Sequence, residues 1–234
     1  MIYQKVFKGF FLVVMGASVL SAQADVTGIW VVQGDQKVTV EYRDPQSVRL
    51  NFNGGASVLI NQGRPYLLQE TAQGWRVLDI DQIKQQMDMA LSAMPIQLPR
   101  LSARSPKLTQ PIVEMKDAGR SEVVAGIKGQ VYEVKLTYPD GRVTKDEAVL
   151  ATDPRLASLQ DALTKIAKAN VQNIPGGHIP IPEAVEHVQG KGILRYGSQM
   201  RLEKLNDAAI DSNRFELPAP PTTLGLSKAL TGGH

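Results

Sequence analysis

The residues that could bind a metal or transfer protons are few in this sequence. His178, Glu183 and His187 lie close together, and Glu183 and His187 would share one side of a helix. Histidine and glutamate are common zinc ligands, so this spacing permits a divalent-metal site or a metal-dependent hydrolase. His178, however, belongs to the proline- and glycine-rich loop 173–182 (NIPGGHIPIP). We therefore expect surface residues here and no metal site.

Two further groups match catalytic signatures poorly. Asp79 and Asp81 could form a paired-carboxylate site, but both stand where a helix is predicted to begin, which explains them as helix caps. The segment 190–192 (GKG), followed by Gly197, has the wrong spacing for a dinucleotide-binding loop. The absence of cysteine excludes a thiol nucleophile, a thiolate metal centre and a disulfide. We expect a protein that is not an enzyme and uses no cofactor, with the metal-dependent hydrolase as a minor alternative.

Short strands are predicted for the first part of the chain. Alternating apolar and polar residues, such as Val38, Val40 and Tyr42 against Lys37 and Thr39, are typical of strands with one buried face. Turn signals separate these runs at 34–36, 44–46, 53–55, 61–63 and 72–74. The pattern predicts an antiparallel meander from residue 25 to about residue 79, with one apolar face and one polar, solvent-exposed face.

A helix is predicted after this meander. It should begin at Asp79 or Asp81 and end at Pro95. Its apolar stripe follows helical spacing and consists of Ile83, Met87, Leu91 and Met94. Residues 95–111 contain four prolines and are predicted to be an irregular connection that covers part of the sheet.

The second half repeats the order of strands followed by a helix. An alternating run, 132–138, meets the turn Pro139-Asp140-Gly141 and returns at 143–150. The segment 152–154 (TDP) opens a second helix that fades near Asn170. The apolar stripe of this helix is Leu156, Leu159, Leu163 and Ile166. A final hairpin or a long bent strand is predicted over 192–205, and the tail from Leu217 is expected to be loose.

Together these elements predict an α+β fold. We expect a strongly curved antiparallel sheet, an incomplete β-barrel, covered by two main helices and the proline-rich segment. Residues 25–220 would form a single domain and 221–234 a flexible tail.

Residues 1–24 are typical of a secretory signal peptide. Lys5 and Lys8 precede the apolar run 9–20, and Ala22-Gln23-Ala24 supplies the small residues that a signal peptidase requires. We expect cleavage after Ala24, a periplasmic location and no membrane span in the mature chain, because the apolar run is too short to cross a bilayer. The mature chain has one more basic than acidic residue and no dense basic stripe, so nucleic acid is not an expected partner.

Four segments resemble motifs of a secreted bacterial family. They are 122–134 (EVVAGIKGQVYEV), Trp75 with 77–79 (VLD), 152–154 (TDP) and 211–218 (DSNRFELP). The family has no assigned function and is similar to the LolA/LolB-like group of lipoprotein carriers. Gly129 stands where the family often has cysteine. The resemblance implies an incomplete barrel with a helical lid over an apolar cavity, and a non-enzymatic carrier or binding protein for an acyl chain or lipoprotein.

The candidate ligand-binding residues are large apolar side chains of the strands and the first helix. Three of the seven methionines, Met87, Met89 and Met94, cluster on or beside that helix, and methionine adapts to irregular ligands as well as to irregular packing. The candidates for lining an apolar cavity are Trp30, Phe52, Tyr66, Trp75, Met87, Leu91 and Met94. The alternative interpretation is an interaction module of the cell envelope that docks a protein through a sheet edge or through the tail at 217–234.

Overall fold

The computed structural model describes residues 25–52, 55–93, 111–168 and 190–222. The first part of the chain forms six strands in succession. They are β1 (Val26–Val32), β2 (Gln36–Asp44), β3 (Ser47–Phe52), β4 (Ala56–Asn61), β5 (Arg64–Thr71) and β6 (Gly74–Asp79). The helix α1 (Ile80–Ala93) follows directly. The turns lie where the sequence predicts them, since the strands end and begin at the glycine-, proline- and asparagine-containing segments.

The described residues of the second part form five strands and one long helix. They are β7 (Ile112–Val124), β8 (Ile127–Thr137), β9 (Val143–Ala151), α2 (Pro154–Lys168), β10 (Gly192–Tyr196) and β11 (Met200–Asn206). A short 3-10 helix, Ser212–Phe215, follows the last strand. The predicted hairpins at 132–150 and 192–205 are confirmed.

All eleven strands belong to one antiparallel sheet. Its order is β6-β5-β4-β3-β2-β1-β11-β10-β9-β8-β7, so two meanders meet where β1 pairs with β11. The end strands β6 and β7 do not pair with each other, and the sheet is therefore open. The predicted α+β fold with an open, curved antiparallel sheet is confirmed at this level.

Two tight hairpins set the strand register. Gln62 and Gly63 between β4 and β5 have φ of 51° and 79°, and Ala125 and Gly126 between β7 and β8 have φ of 51° and 79°. Two consecutive residues with positive φ are the mark of a type I′ turn, whose twist matches that of the strands it joins. Each turn fixes the pairing of its two strands, and with it the side chains that share a face.

Both helices begin with an aspartate cap, as predicted. The Asp79 carboxylate accepts a hydrogen bond from the backbone N–H of Gln82 at 3.0 Å, and Asp153 accepts one from the N–H of Arg155 at 2.9 Å. These caps satisfy backbone donors that the first helical turn leaves without partners. The side chain of Asp79 also accepts a hydrogen bond from Arg64, which ties the start of α1 to β5.

The face of the sheet that carries the helices is called the inner face here. On it, α2 packs mainly on β1, β2 and β10, while α1 packs mainly on β5 and β6. The predicted stripe of α2 is confirmed, because all four of its members are buried; they are Leu156, Leu159, Leu163 and Ile166. Of the predicted α1 stripe, the structure describes the side chain of Ile83, which is buried, and the preceding Ile80 is buried as well.

The opposite face, called the outer face, is partly covered by the chain itself. The sequence-based expectation that this face is solvent-exposed throughout is therefore wrong. Residues 207–222 cross it, and Phe215 is buried in a small outer cluster. The other members of this outer cluster are Leu59, Tyr66, Leu68 and Val77 of β4, β5 and β6. Beyond it, the backbone N–H of Thr222 donates to the carbonyl of Val77 at 2.7 Å. The expectation of a loose tail from Leu217 is therefore wrong for residues 217–222, because apolar contacts and backbone hydrogen bonding hold them on the sheet.

The end of the β7–β8 hairpin covers a second part of the sheet. Glu122 of β7 forms an ion pair of 2.8 Å with Arg195 of β10, although two strands separate β7 from β10 in the sheet order. Gly129 lies against Val149 and Leu194 so closely that a Cβ atom there would be within 2.7–2.8 Å of their side chains. The sheet must therefore curl strongly at this end, and glycine at 129 permits the close approach.

Several predicted segments lie outside the described residues. They are the signal peptide 1–24, all but the last residue of the proline-rich connection 95–111, the loop 173–182 and the tail beyond Thr222. None of the helices in the described ranges is long and apolar enough to cross a membrane.

Candidate functional site

Trp30 and Phe52 lie in one row of the inner face. Trp30 of β1 pairs with Val38 of β2, and Val38 pairs with Phe52 of β3. On the other side, Trp30 pairs with Leu202 of β11. Directly paired residues project to the same face of a sheet. Two of the seven candidates from the sequence are thus brought together, two strands apart.

Trp30 forms a fixed wall of this row. Its side chain is 2% exposed, and its indole Nε1 donates a hydrogen bond to the carbonyl of Ile193 at 3.2 Å. The ring lies against Gly28, where a Cβ atom would be 2.4 Å from the ring and 2.8 Å from Leu159 of α2. Glycine at 28 therefore leaves room for the indole ring beneath α2. Because the indole N–H has a hydrogen-bond partner, its burial costs little free energy.

Phe52, by contrast, is only half-buried at the end of β3. Its neighbours on the inner face of β3 and β4 are apolar and belong to strands that lie between those contacted mainly by α1 and by α2. We call this band the inner groove; it consists of Val48, Leu50, Phe52, Val58 and Ile60. The side chains of the other four members are 0–5% exposed, so this band reaches solvent only at Phe52.

A buried polar atom of α1 lacks a hydrogen-bond partner. It is Oε1 of Gln86, the only buried side-chain nitrogen or oxygen in this state among the described residues. Gln86 follows Ile83 by three positions, so both lie on the side of α1 that faces the sheet. A buried acceptor without a donor costs free energy, and a ligand hydroxyl or amide N–H at this place would recover it.

Tyr66 and Trp75 lie on the other side of the sheet. Tyr66 belongs to the outer cluster around Phe215, and Trp75 has the same strand parity as Val77 of that cluster and is 37% exposed. The sheet itself separates them from the row of Trp30 and Phe52. The sequence pattern did not reveal this, because β4, β5 and β6 contain consecutive apolar residues and bury both faces.

The remaining candidates belong to the first helix and its end. Met87 and Leu91 are part of α1, but their side chains lie outside what the structure describes, and Met94 follows the last described residue of α1. Their place in a ligand site stays a prediction.

Ion pairs attach the C-terminal segment to the outer face. Arg43 binds both carboxylate oxygens of Asp25 at 3.0 Å, and Arg214 binds Glu41 at 2.8 Å. The Arg43 guanidinium, helped by the backbone N–H of Ile210, holds the pKa of Asp25 below its usual value. These charges connect segments of the chain and lie on the opposite face from the inner groove.

A buried arginine completes this attachment. Arg49 is 8% exposed and donates to Asn51, to Ser57 and to the carbonyl of Arg214. Burial, with the nearby charge of Arg214 as a second cause, lowers the pKa of Arg49. Its partners are all neutral oxygens, which is enough to keep a guanidinium hydrogen-bonded where it leaves water. Nothing in the sequence marked Arg49 as buried, since it occupies a polar position of an alternating strand.

The described residues do not form the metal site that the sequence allowed as an alternative. Within the described ranges, no three histidine, cysteine, aspartate or glutamate side chains are grouped as a metal site would require. His178, Glu183 and His187 lie outside those ranges. Asp79 acts as a helix cap, as the sequence-based interpretation held. It also forms an ion pair with Arg64, whereas Asp81 is exposed.

Two surface depressions occur on the second meander. One, of about 330 Å³, is bordered by the polar side chains Ser121, Lys128, Gln130, Thr152 and Lys191. The other, of about 650 Å³, runs along β7, β8 and β9 between charged side chains that include Glu114, Lys116, Glu133 and Lys135. Neither depression is lined by a residue of the inner groove.

Comparison with known proteins adds no relative: no family model, no curated protein and no solved structure matches this chain significantly.

Proposed function

We propose that this protein is a non-enzymatic periplasmic carrier or binding protein whose ligand has an acyl chain, and that the inner groove receives that chain. The observation that carries the proposal is the distribution of helices over the sheet. Apolar inner side chains continue across β3 and β4, while the two described helices pack mainly on strands to either side of them. Phe52 is the half-buried member of this band and marks the entrance.

The physical basis is apolar burial. Each methylene group that leaves water for an apolar surface contributes about 0.8 kcal/mol, so an acyl chain can be held without a charged anchor. The charged pairs described above lie on the outer face, and the inner groove offers hydrocarbon side chains alone. Such a site favours the chain of a lipid over its headgroup.

The resemblance to the LolA/LolB-like carriers supports the same proposal. In that interpretation the open, curled sheet is an incomplete barrel, and α1 with the following proline-rich segment is its lid. The expected signal peptide would deliver the protein to the periplasm, where an acylated lipid or a lipoprotein is the cargo.

The proposal is tested by uptake of a fluorescent fatty acid. The mature chain from Asp25 should bind the probe, and Phe52→Glu should weaken binding at least about tenfold, because a carboxylate at the entrance must be desolvated beside the chain. Trp75→Glu is the matched control, since it introduces the same charge at an apolar aromatic position on the outer face. It should leave the affinity within about twofold of the parent protein.

Two outcomes would overturn the proposal. One is the absence of probe binding by a folded parent protein. The other is equal loss of binding in Phe52→Glu and Trp75→Glu while circular dichroism shows both variants folded.

A further inference from the structure

The strand β7 ends the sheet with an unpaired edge. It is the last strand in the sheet order, and it pairs with β8 alone. Among the described residues, no backbone hydrogen bond outside that pairing involves Ile112–Asp117, the regular part of the strand. An unpaired edge of this kind is a template for another strand. The opposite edge differs, because Thr222 donates to the carbonyl of Val77 on β6.

The side chains along the β7 edge alternate in charge. Glu114 and Lys116 both project to the outer face, and both are exposed. Within the chain, Glu114 pairs with Lys135 of β8, and Lys116 lies opposite Glu133. Each of these charges therefore has an opposite charge next to it on β8 and faces water on the unpaired side of β7.

The charge pattern of β7 is complementary to that of a second copy of the strand that runs in the opposite direction. If two copies of β7 pair antiparallel about a twofold axis at Met115, Glu114 of one copy lies opposite Lys116 of the other, and the reverse pair forms by symmetry. Opposite charges directly across two strands stabilise their pairing.

Registers centred on a charged residue of β7 are disfavoured by the same charges. An axis at Glu114, at Lys116 or at Asp117 places that residue opposite its own copy, so two like charges meet. Like charges directly opposite destabilise a strand pair. Of these registers, the one centred on Met115 alone brings only opposite charges together.

We propose that the protein forms a symmetric dimer in which the β7 edges of two copies pair antiparallel about Met115, so that one sheet continues through both subunits. The regular part of the edge is short, ending at the irregularity after Asp117. The dimer is therefore expected to be weak and concentration-dependent, with a dissociation constant in the micromolar range. Its charge pairs also make it weaken as salt rises.

Charge exchange between two variants tests the proposal. Glu114→Lys places a lysine side chain opposite Lys116 of the second copy, and Lys116→Glu places a glutamate side chain opposite Glu114. Each variant alone should dimerise at least about tenfold more weakly than the parent mature chain in sedimentation-equilibrium experiments. An equimolar mixture of the two should form heterodimers, because every facing pair then has opposite signs.

The double variant Glu114→Lys/Lys116→Glu provides the control for folding and for surface charge. Its facing pairs are again opposite in sign, so it should dimerise like the parent chain, although it loses the same intrachain pairs as the single variants. A parent chain that stays monomeric at millimolar concentration overturns the proposal, and this is the result expected if another segment of the same chain covers β7. Single variants that dimerise as well as the parent chain overturn it too.

Discussion

Asp25 connects the beginning of the described chain to the segment that crosses the outer face. Its carboxylate binds Arg43 through both oxygens and accepts the backbone N–H of Ile210 at 2.7 Å. The carboxyl is mostly shielded from water, with its side chain 12% exposed. The Asp25→Asn variant should lose about 1–2 kcal/mol of unfolding free energy near neutral pH, which urea denaturation measures.

The effect of this variant should depend on pH. Because Arg43 and the N–H of Ile210 lower the pKa of Asp25 in the folded protein, its stabilising contribution is complete above the unfolded value of about 3.9 and is lost as the pH falls through the lower folded pKa. The free-energy difference between the parent chain and Asp25→Asn should therefore shrink in strongly acidic solution. A difference that stays constant from neutral to strongly acidic pH would contradict the assigned role.

We predict that Gln86 of α1, which packs on β5 and β6 beside the inner groove, sets a preference among lipids. Its buried Oε1 atom can accept a hydrogen bond but not donate one, so a lipid hydroxyl or amide N–H suits it and an ionised carboxylate does not. A monoacylglycerol should bind several-fold more tightly than a fatty acid of equal chain length, as measured by competition with a fluorescent probe. Gln86→Leu should remove this preference and keep chain binding. An unchanged preference in that variant would show that Gln86 does not contact the ligand.

Single residues show where sequence reasoning succeeded and where it failed. Asp79 was predicted as a helix cap and is one, because capping depends on local chemistry that the sequence contains. Tyr66 was grouped with Trp30, yet the two lie on opposite faces, because β5 buries both of its faces. The consecutive apolar residues of 57–60 (SVLI) and 66–68 (YLL) were the available signal for burial on both faces.

At the scale of elements, α2 is the most predictable part of the fold. Its start and apolar stripe agree with the structure because helical spacing and a capping aspartate are local signals. Leu163→Ala should destabilise the protein by about 2–5 kcal/mol, since Leu163 is 2% exposed and its removal leaves a cavity. Asp161→Ala, on the exposed side of the same helix, should change stability by less than about 0.5 kcal/mol in the same thermal or urea unfolding experiment. Equal effects of the two variants would contradict the packing of α2.

The C-terminal segment is the element that the sequence pattern did not predict. Its proline content and lack of periodicity are typical of a loose tail, but Phe215 fills the outer cluster, and Asn61 donates to the carbonyl of Phe215 at 2.6 Å. Long-range contacts of this kind connect residues far apart in the chain and leave no periodic signal. The contacts of this segment with the sheet were therefore found only in the structure.

Phe215→Ala should release this segment. The substitution removes a buried aromatic ring and its contact with the Arg43 guanidinium, 4.8 Å from the ring centre, and should cost about 3–5 kcal/mol. Limited proteolysis should then cut within 207–222 much faster than in the parent chain. Glu216→Ala, an exposed neighbour, is the control and should leave the cleavage rate unchanged. Cleavage at the parental rate in Phe215→Ala would show that Phe215 does not anchor the segment.

At the scale of the whole molecule, the open antiparallel sheet and the two described helices agree with the sequence-based prediction. The segment 207–222, which covers part of the outer face, was not predicted. Alternation and turn residues predicted the meanders, and the pairing of β1 with β11 unites them in one sheet. At the curled β7–β8 end of the sheet, Gly129 packs closely on Val149 of the paired strand β9 and on Leu194 of β10, the next strand but one. The inner face of the sheet thus has an apolar band that reaches solvent at Phe52, while residues 207–222 cover part of the outer face.

The two tryptophans allow the central claim to be tested directly. Trp30 lies in the inner row with Phe52, Trp75 lies on the outer face, and the chain has no other tryptophan. Nuclear magnetic resonance of the mature chain should show two indole N–H signals, assigned with the Trp75→Phe variant. A nitroxide-labelled stearate should broaden the Trp30 signal and leave the Trp75 signal sharp. Broadening of Trp75, or no broadening of Trp30 at saturating stearate, would contradict ligand binding on the inner face.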